Sequence, residues 1–471
     1  MNQASFLKKY FLAIVVFSGL TMLHFSPVQT TYGVYLSIFL ALVSCFNSVA
    51  FFVFAVGSQM APDPKGISLT LAQLGVICWI VTLPVNGWPA LVQKGFKIPA
   101  VLILFLLWGI LMTIFNGTWI KFIPVLTGAF FFIIAIVYAN DDRYTLNNYL
   151  IVICLSSFIS IVGYWFLRVG LPVELIQYEG DAVRNVERIG SGKGDANMVG
   201  IMLPIGVIGY MFATATYLSA KNNWDGTQTQ RVGLIKALLS VIIVFFIGIP
   251  PLISTASRSA IITTSIGFAA MLIFLYISVL KEPVLVIKSR IRAVLVLILI
   301  MLITTITYIT TNVNFNRYLI AMERISDKES SMSTNGSMVG GRSSIWLSHM
   351  KIIAEYPLSG SPKDATWLFS SYGRGKFGDF VAHNTYIEVG SLAGLPESIL
   401  FILFCFYPFA KRYRIFFHPD YLAYTLVGIL IFVSFMSFSA QSWKVFWIFM
   451  ALVWLIYFRS EQQVIMDGNE I

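Results

Sequence analysis

The sequence predicts an all-α integral membrane protein with twelve or thirteen transmembrane helices, and three features carry that prediction. Hydrophobic residues make up 57% of the 471 and charged residues only 11%, with a mean hydropathy of +0.79; soluble domains carry about 25% charged residues. Apolar runs recur along the chain, many close to the roughly 17 to 25 residues that cross a hydrocarbon core of about 30 Å as a helix. Lysine and arginine collect in short connectors, as cytoplasmic loops require.

In chain order the runs are Ile14–Phe25, Val34–Val56, Ile67–Val85, Pro99–Phe115, Phe122–Ala139, Tyr149–Leu167, Val199–Leu218, Leu234–Ile253, Ala260–Leu280, Ala293–Thr311, Val389–Phe409, Tyr421–Phe438 and Val445–Phe458. The first is short unless it starts near Tyr10, and no small-residue cleavage pattern follows it, so it reads as an uncleaved helix. The connectors "KEPVLVIKSRIR" (Lys281–Arg292) and "KRYRIFFHPD" (Lys411–Asp420) are the densest basic loops and are expected inside. The polar stretch between them, 312–383, then lies outside, with the segments around Arg188 and Arg258. Lys8 and Lys9 favour an inside N-terminus, which fits twelve spans; the runs themselves number thirteen.

The formal charge of +10 follows from basic cytoplasmic loops and calls for no nucleic acid. Cys45, Cys78, Cys154 and Cys405 all fall within apolar runs and show no CxxC spacing, so they read as core or lipid-facing thiols. No internal repeat divides the chain. Three parts are expected: an N-terminal transmembrane bundle (1–311) that includes a shorter outer loop (170–197), a large helical outer loop (312–385) between the tenth and eleventh spans, and C-terminal transmembrane helices with a cytoplasmic tail (386–471). Within the large loop, "SSIWLSHMKIIAEYPL" has apolar residues near helical spacing and ends at Pro357, which predicts a helix lying over the outer ends of the bundle.

Four polar stretches draw attention. "GSGKGDAN" (Gly190–Asn197) lacks the spacing and the hydroxyl residue of a nucleotide-binding loop and follows no predicted strand. It reads instead as an approach to a helix start, capped by Asp195 or Asn197, with Arg188 and Lys193 near an anion; a plain capped helix fits equally well. Arg258, in "STASRSA", stands between two apolar runs, as a snorkelling residue or as a guanidinium shaped to grip phosphate oxygens. Arg342, in "GGRSSIW", begins the predicted outer helix, where a cation opposes the helix dipole and a bound anion explains it better. His383, in "FVAHNTYIEVGSLAG", can take a proton from a hydroxyl near neutral pH, and Asn384 either orients a substrate or caps the next helix. His349, on the outer helix, is a second candidate; His24 and His418 read as interface residues. Asp63 is a lone carboxylate, and no acidic pair or histidine spacing points to a metal.

Taken in order, "RIGSGKGDANMVG", "SRSA", "GRSSIW" with "EYPLSG", and "HNTYIEVGSLAG" resemble the bacterial O-antigen ligase and O-antigen polymerase superfamily of membrane glycosyltransferases, over roughly 188–410. The resemblance implies a GT-C-like helical fold in the bacterial inner membrane, with the active site facing the periplasm and no cofactor or metal. It implies inverting transfer of a glycan from undecaprenyl diphosphate to a sugar hydroxyl. By position, Arg258 and Arg342 would hold the diphosphate and His383 would be the base. Gly394 is followed by Leu395, Pro396 and Glu397, where ligases typically continue with a small residue or tyrosine three residues after the glycine. That departure leans the expectation to a polymerase, with a polysaccharide chain-length regulator as a candidate partner. The alternative is a ligase with lipid A-core as acceptor. A multi-helix transporter is the reading from a different class, although polar residues cluster at the outer surface rather than at the midplane.

Overall fold

The computed structural model describes residues 3–63, 68–86, 97–140, 145–171, 177–178, 188–189, 196–213, 243, 246–248, 250–252, 258–280, 341–361, 382, 384–418, 420–436 and 443–467. These residues form helices throughout, apart from an antiparallel pair of two-residue strands, β1 (Gln177–Tyr178) and β2 (Arg188–Ile189). The predicted spans at Leu234–Ile253 and Ala293–Thr311 lie partly or wholly outside the described residues.

The N-terminal helices are α1 (Gln3–Met22), α2 (Ser26–Thr31), α3 (Gly33–Ser44), α4 (Ser48–Met60), α5 (Leu71–Asn86) and α6 (Ala100–Phe115). A 3₁₀ turn (Trp119–Phe122) leads into α7 (Ile123–Ala139), followed by α8 (Leu146–Ser156), α9 (Ile159–Arg168) and α10 (Ala196–Pro204). Beyond a π-helical turn (Ile205–Gly209) come α11 (Arg258–Leu280), α12 (Gly341–Glu355), α13 (Thr385–Ala393), α14 (Leu395–Lys411), α15 (Tyr413–Phe416), α16 (Leu422–Phe435) and α17 (Lys444–Asp467). Among the described residues three stretches are long and apolar enough to cross a membrane: Trp119–Ala139, Leu146–Arg168 and Lys444–Gln462.

Burial identifies the layers. Nearly every residue of α4 is buried, and so is α17 from Val445 to Tyr457, so these helices are apolar all round because they sit at the centre. Gly128 lets α7 close on α17, since a Cβ there would overlap the Trp447 indole. Helix α6 shows the opposite pattern. Leu102, Phe105, Gly109 and Thr113 face the core, while Leu104, Leu107, Leu111 and Ile114 form an exposed apolar stripe suited to lipid.

The run Tyr149–Leu167 is interrupted at Ser157–Phe158, between α8 and α9, and two other expected spans break into distinct helices. The run Val34–Val56 is two helices, α3 and α4, because Asn47 accepts the Ala50 N–H at 3.0 Å and starts a new helix. At 12 and 13 residues they are about 18 and 20 Å long, each shorter than a bilayer core. The run Val389–Phe409 is a hairpin. Gly394, at φ 89°, ends α13, and Pro396 lies in the first turn of α14. Helix α13 then packs back on α14: Ser398 Oγ donates to the Tyr386 carbonyl at 3.3 Å, and the Tyr386 ring lies 6.3 Å from Phe401.

The helix directions gather several termini at one end. Ile208 and Phe212 meet Gly267 and Phe274 in the same order, so the chain through α10 and α11 run parallel. Gly267 also meets Leu430, and Phe274 lies 6.0 Å from Phe417, so α16 runs antiparallel to α11. Gln59, at the end of α4, accepts the Lys444 N–H at 3.2 Å and donates to Met198 Sδ at 3.5 Å, which joins the starts of α17 and α10. The Asn384 amide donates to the Met436 carbonyl at 3.4 Å, bringing the start of α13 to the end of α16. The first residues of α10, α11, α13 and α17 therefore share one end of the bundle.

Candidate functional site

Arg258 is the first residue of α11 and Asn197 the second of α10, so both belong to the end where these termini gather. Asn197 is within its helix, which corrects the expectation that it could be the cap; Asp195, the other candidate, lies outside the described residues, as do Lys193 and His383. Arg188 is in β2, so a short strand does precede the glycine-rich stretch, contrary to expectation. The missing hydroxyl after Lys193 still separates it from a nucleotide-binding loop.

The residues on either side of His383 are held firmly. Ala382 is fully buried; its N–H donates to Glu388 Oε2 at 3.1 Å and its carbonyl accepts from Trp346 Nε1 at 2.8 Å. Asn384 caps α13, its Oδ1 accepting from Tyr386 N at 3.1 Å and Ile387 N at 3.2 Å. The Tyr386 hydroxyl donates to the Phe432 carbonyl at 3.3 Å. Burial pushes that phenol above its ordinary range, so it remains a donor. Of the two readings of Asn384, the cap is realised.

A helix forms where one was expected between the tenth and eleventh runs: α12 ends at Glu355, two residues before Pro357. Arg342 is its second residue, one turn before Trp346. His349, 6% exposed, places Nδ1 2.6 Å from Ser391 Oγ on α13. The Ser391 hydroxyl also lies 3.0 Å from the Glu388 carbonyl. His349 thus joins α12 to α13. The turn after α12 is also fixed: Leu395 N donates to the Pro357 carbonyl and Ser361 N to the Ser391 carbonyl, both at 2.7 Å, and Asn116 Nδ2 donates to the Ser359 carbonyl at 2.6 Å.

The other singled-out groups are structural. His24 is buried at the end of α1, with Nδ1 3.3 Å from the Leu20 carbonyl. His418 is exposed, 3.6 Å from Asp420. Asp63 accepts the Leu71 N–H at 2.8 Å at the start of α5, where Thr70 and Gln73 cap each other reciprocally. The four cysteines are buried and none is in a disulfide. Among the described residues no three of His, Cys, Asp and Glu gather as metal ligands.

No protein-family model matches this chain, and no curated protein matches it. The family likeness therefore rests on its ordered motifs. Where these motifs are described they fall at helix starts: Arg258 and the two residues after it begin α11, "GRSSIW" begins α12, and the stretch from Asn384 to Gly394 caps and spans α13. Trp346 and Glu388 were not singled out from the sequence as site residues. An acid inside an apolar segment is a signal that could have flagged Glu388.

Proposed function

We propose that the chain is a membrane glycosyltransferase of the bacterial inner membrane that moves a glycan from undecaprenyl diphosphate to a sugar hydroxyl on the periplasmic side. The supporting observation is the shared end of the bundle. Helix starts from α10, α11 and α13 meet there, and helix N-termini favour anions; Arg258 opens one of them. Arg342 opens α12, which reaches the residue before His383 through Trp346.

In the proposed reaction the His383 imidazole takes the proton of the acceptor hydroxyl as its oxygen attacks the anomeric carbon. The bond from that carbon to the diphosphate oxygen breaks on the opposite face, so the configuration inverts and undecaprenyl diphosphate leaves. Arg258 and Arg342 offset the charge that grows on the leaving diphosphate. Arg188, Lys193 and Asn197 are proposed contacts to the donor from the shorter loop. The acceptor is another lipid-linked glycan in the favoured polymerase reading, with the departure at Leu395–Glu397 as its basis, and lipid A-core in the ligase reading.

The test is transfer by purified protein in lipid nanodiscs, supplied with a glycan on undecaprenyl diphosphate and either acceptor. His383→Ala is expected to lose about 10²- to 10⁴-fold in rate, the usual contribution of a general base, with its thermal midpoint retained. Wild-type turnover in that variant sinks the base assignment. Arg342→Ala is expected to weaken donor binding, and Arg342→Lys to restore it incompletely because lysine lacks the forked geometry.

A further inference from the structure

We propose that Trp346 and Glu388 are positioning residues that clamp the backbone leading into His383; this rests on His383 being the base. The two side chains come from different helices and grip the same residue. Trp346, on α12, donates its indole N–H to the Ala382 carbonyl at 2.8 Å, and Glu388, on α13, accepts the Ala382 N–H at 3.1 Å. The carbonyl of Ala382 and the N–H of His383 belong to one planar peptide unit. Trp346 and Glu388 therefore hold both backbone polar groups of the residue that precedes the proposed base.

Helix stability alone does not account for the pair. In a capping box the acid three residues into the helix reaches back to the N–H of the cap itself. Here Asn384 already caps α13 through two backbone N–H groups, and Glu388 reaches past it to Ala382, two residues before the cap. The indole comes from a separate helix, across a sequence gap of 36 residues. Both flanks of position 383 are thus held, by Trp346 and Glu388 before it and by the Asn384 cap after it.

The clamp also links two proposed parts of the machinery. Trp346 lies one turn after Arg342, so the helix that brings the diphosphate ligand also holds the peptide that leads to the base. Seating α12 seats both.

The experiment compares wild type with Trp346→Phe, Glu388→Ala, Glu388→Gln and His383→Ala, all full-length in nanodiscs with an undecaprenyl-diphosphate-linked glycan. For each, donor sites per protein are titrated and turnover is measured per occupied site. Trp346→Phe removes the indole N–H together with part of the ring, and Glu388→Ala removes the carboxylate acceptor together with a methylene. Each is expected to lower turnover per site by about 10- to 100-fold, the scale of a misplacement near 1 Å, with donor sites per protein unchanged. Partial misfolding would instead remove sites and leave turnover per site intact, and that pattern overturns the proposal. Glu388→Gln keeps an acceptor oxygen and is expected to retain most of the turnover; a loss equal to that of Glu388→Ala would assign the role to the charge and overturn the clamp. If His383→Ala is inactive while Trp346→Phe and Glu388→Ala turn over at the wild-type rate, the clamp fails and the base stands. If His383→Ala is active, the base reading fails and takes the clamp with it.

Discussion

Glu388 and Glu397 sit on the two arms of the α13–α14 hairpin, and their surroundings differ in kind. Glu388, on the arm beside the candidate site, accepts the Ala382 N–H, while its own carbonyl receives the Ser391 hydroxyl. Glu397, on the arm that enters the bundle, is 1% exposed, and neither carboxyl oxygen has a hydrogen-bond partner among the described residues. Its carboxyl lies against Gly109. Along α13 half-buried Glu388 and Trp346 and buried His349 and Ser391 are tied into one seam, Trp346–Ala382–Glu388 and His349–Ser391. In α14 a carboxyl fills a notch left by a missing side chain. The difference separates polar burial that fixes geometry from polar burial that costs free energy and fixes nothing visible.

Three substitutions test the contrast, beginning with the largest expected effect on stability. Gly109→Ala closes the notch, because the new Cβ would overlap the Phe122 ring and the Glu397 carboxyl. Overpacking of this sort costs about 1–3 kcal/mol, seen as a lower thermal midpoint in detergent; an unchanged midpoint would mean that α6 and α14 are not in fixed contact there. Ser391→Ala removes the partner of His349 Nδ1 and is expected to cost about 1 kcal/mol, as a lost buried hydrogen bond does. Should it prove neutral, the polar seam contributes no stability and the contrast weakens. Glu397→Gln is expected to change the midpoint least, within about 0.5 kcal/mol of wild type or on the stabilising side, since no hydrogen bond is lost and an unpaired acid is removed. A large loss would reveal a role for the charge.

The sequence made the helical membrane class legible because composition and run length report it directly, and helices such as Ala100–Phe115 and Leu422–Phe435 fall within a few residues of their runs. The breaks at Asn47 and Gly394 were hidden because hydropathy averages over residues whose neighbours are equally apolar. Both carried local marks: an amide before Ser48, and glycine followed two residues later by proline. Of the candidate site, the motifs and their order were readable. The Trp346–Ala382 and His349–Ser391 contacts were not, since each joins helices separated by a long stretch of chain and no local pattern encodes a partner 36 or 42 residues away.

The fixed turn after α12 has a mechanical consequence. Pro357 and Ser361 are bonded to Leu395 and Ser391, so the C-terminal end of the helix is anchored to the hairpin bend like the fulcrum of a lever. The 15 residues of α12 make an arm of about 22 Å. A tilt of only about 5° at the anchored end sweeps the Arg342 end through roughly 2 Å, most of the length of a hydrogen bond. The indole of Trp346 ties that arm, partway along its length, to the Ala382 carbonyl.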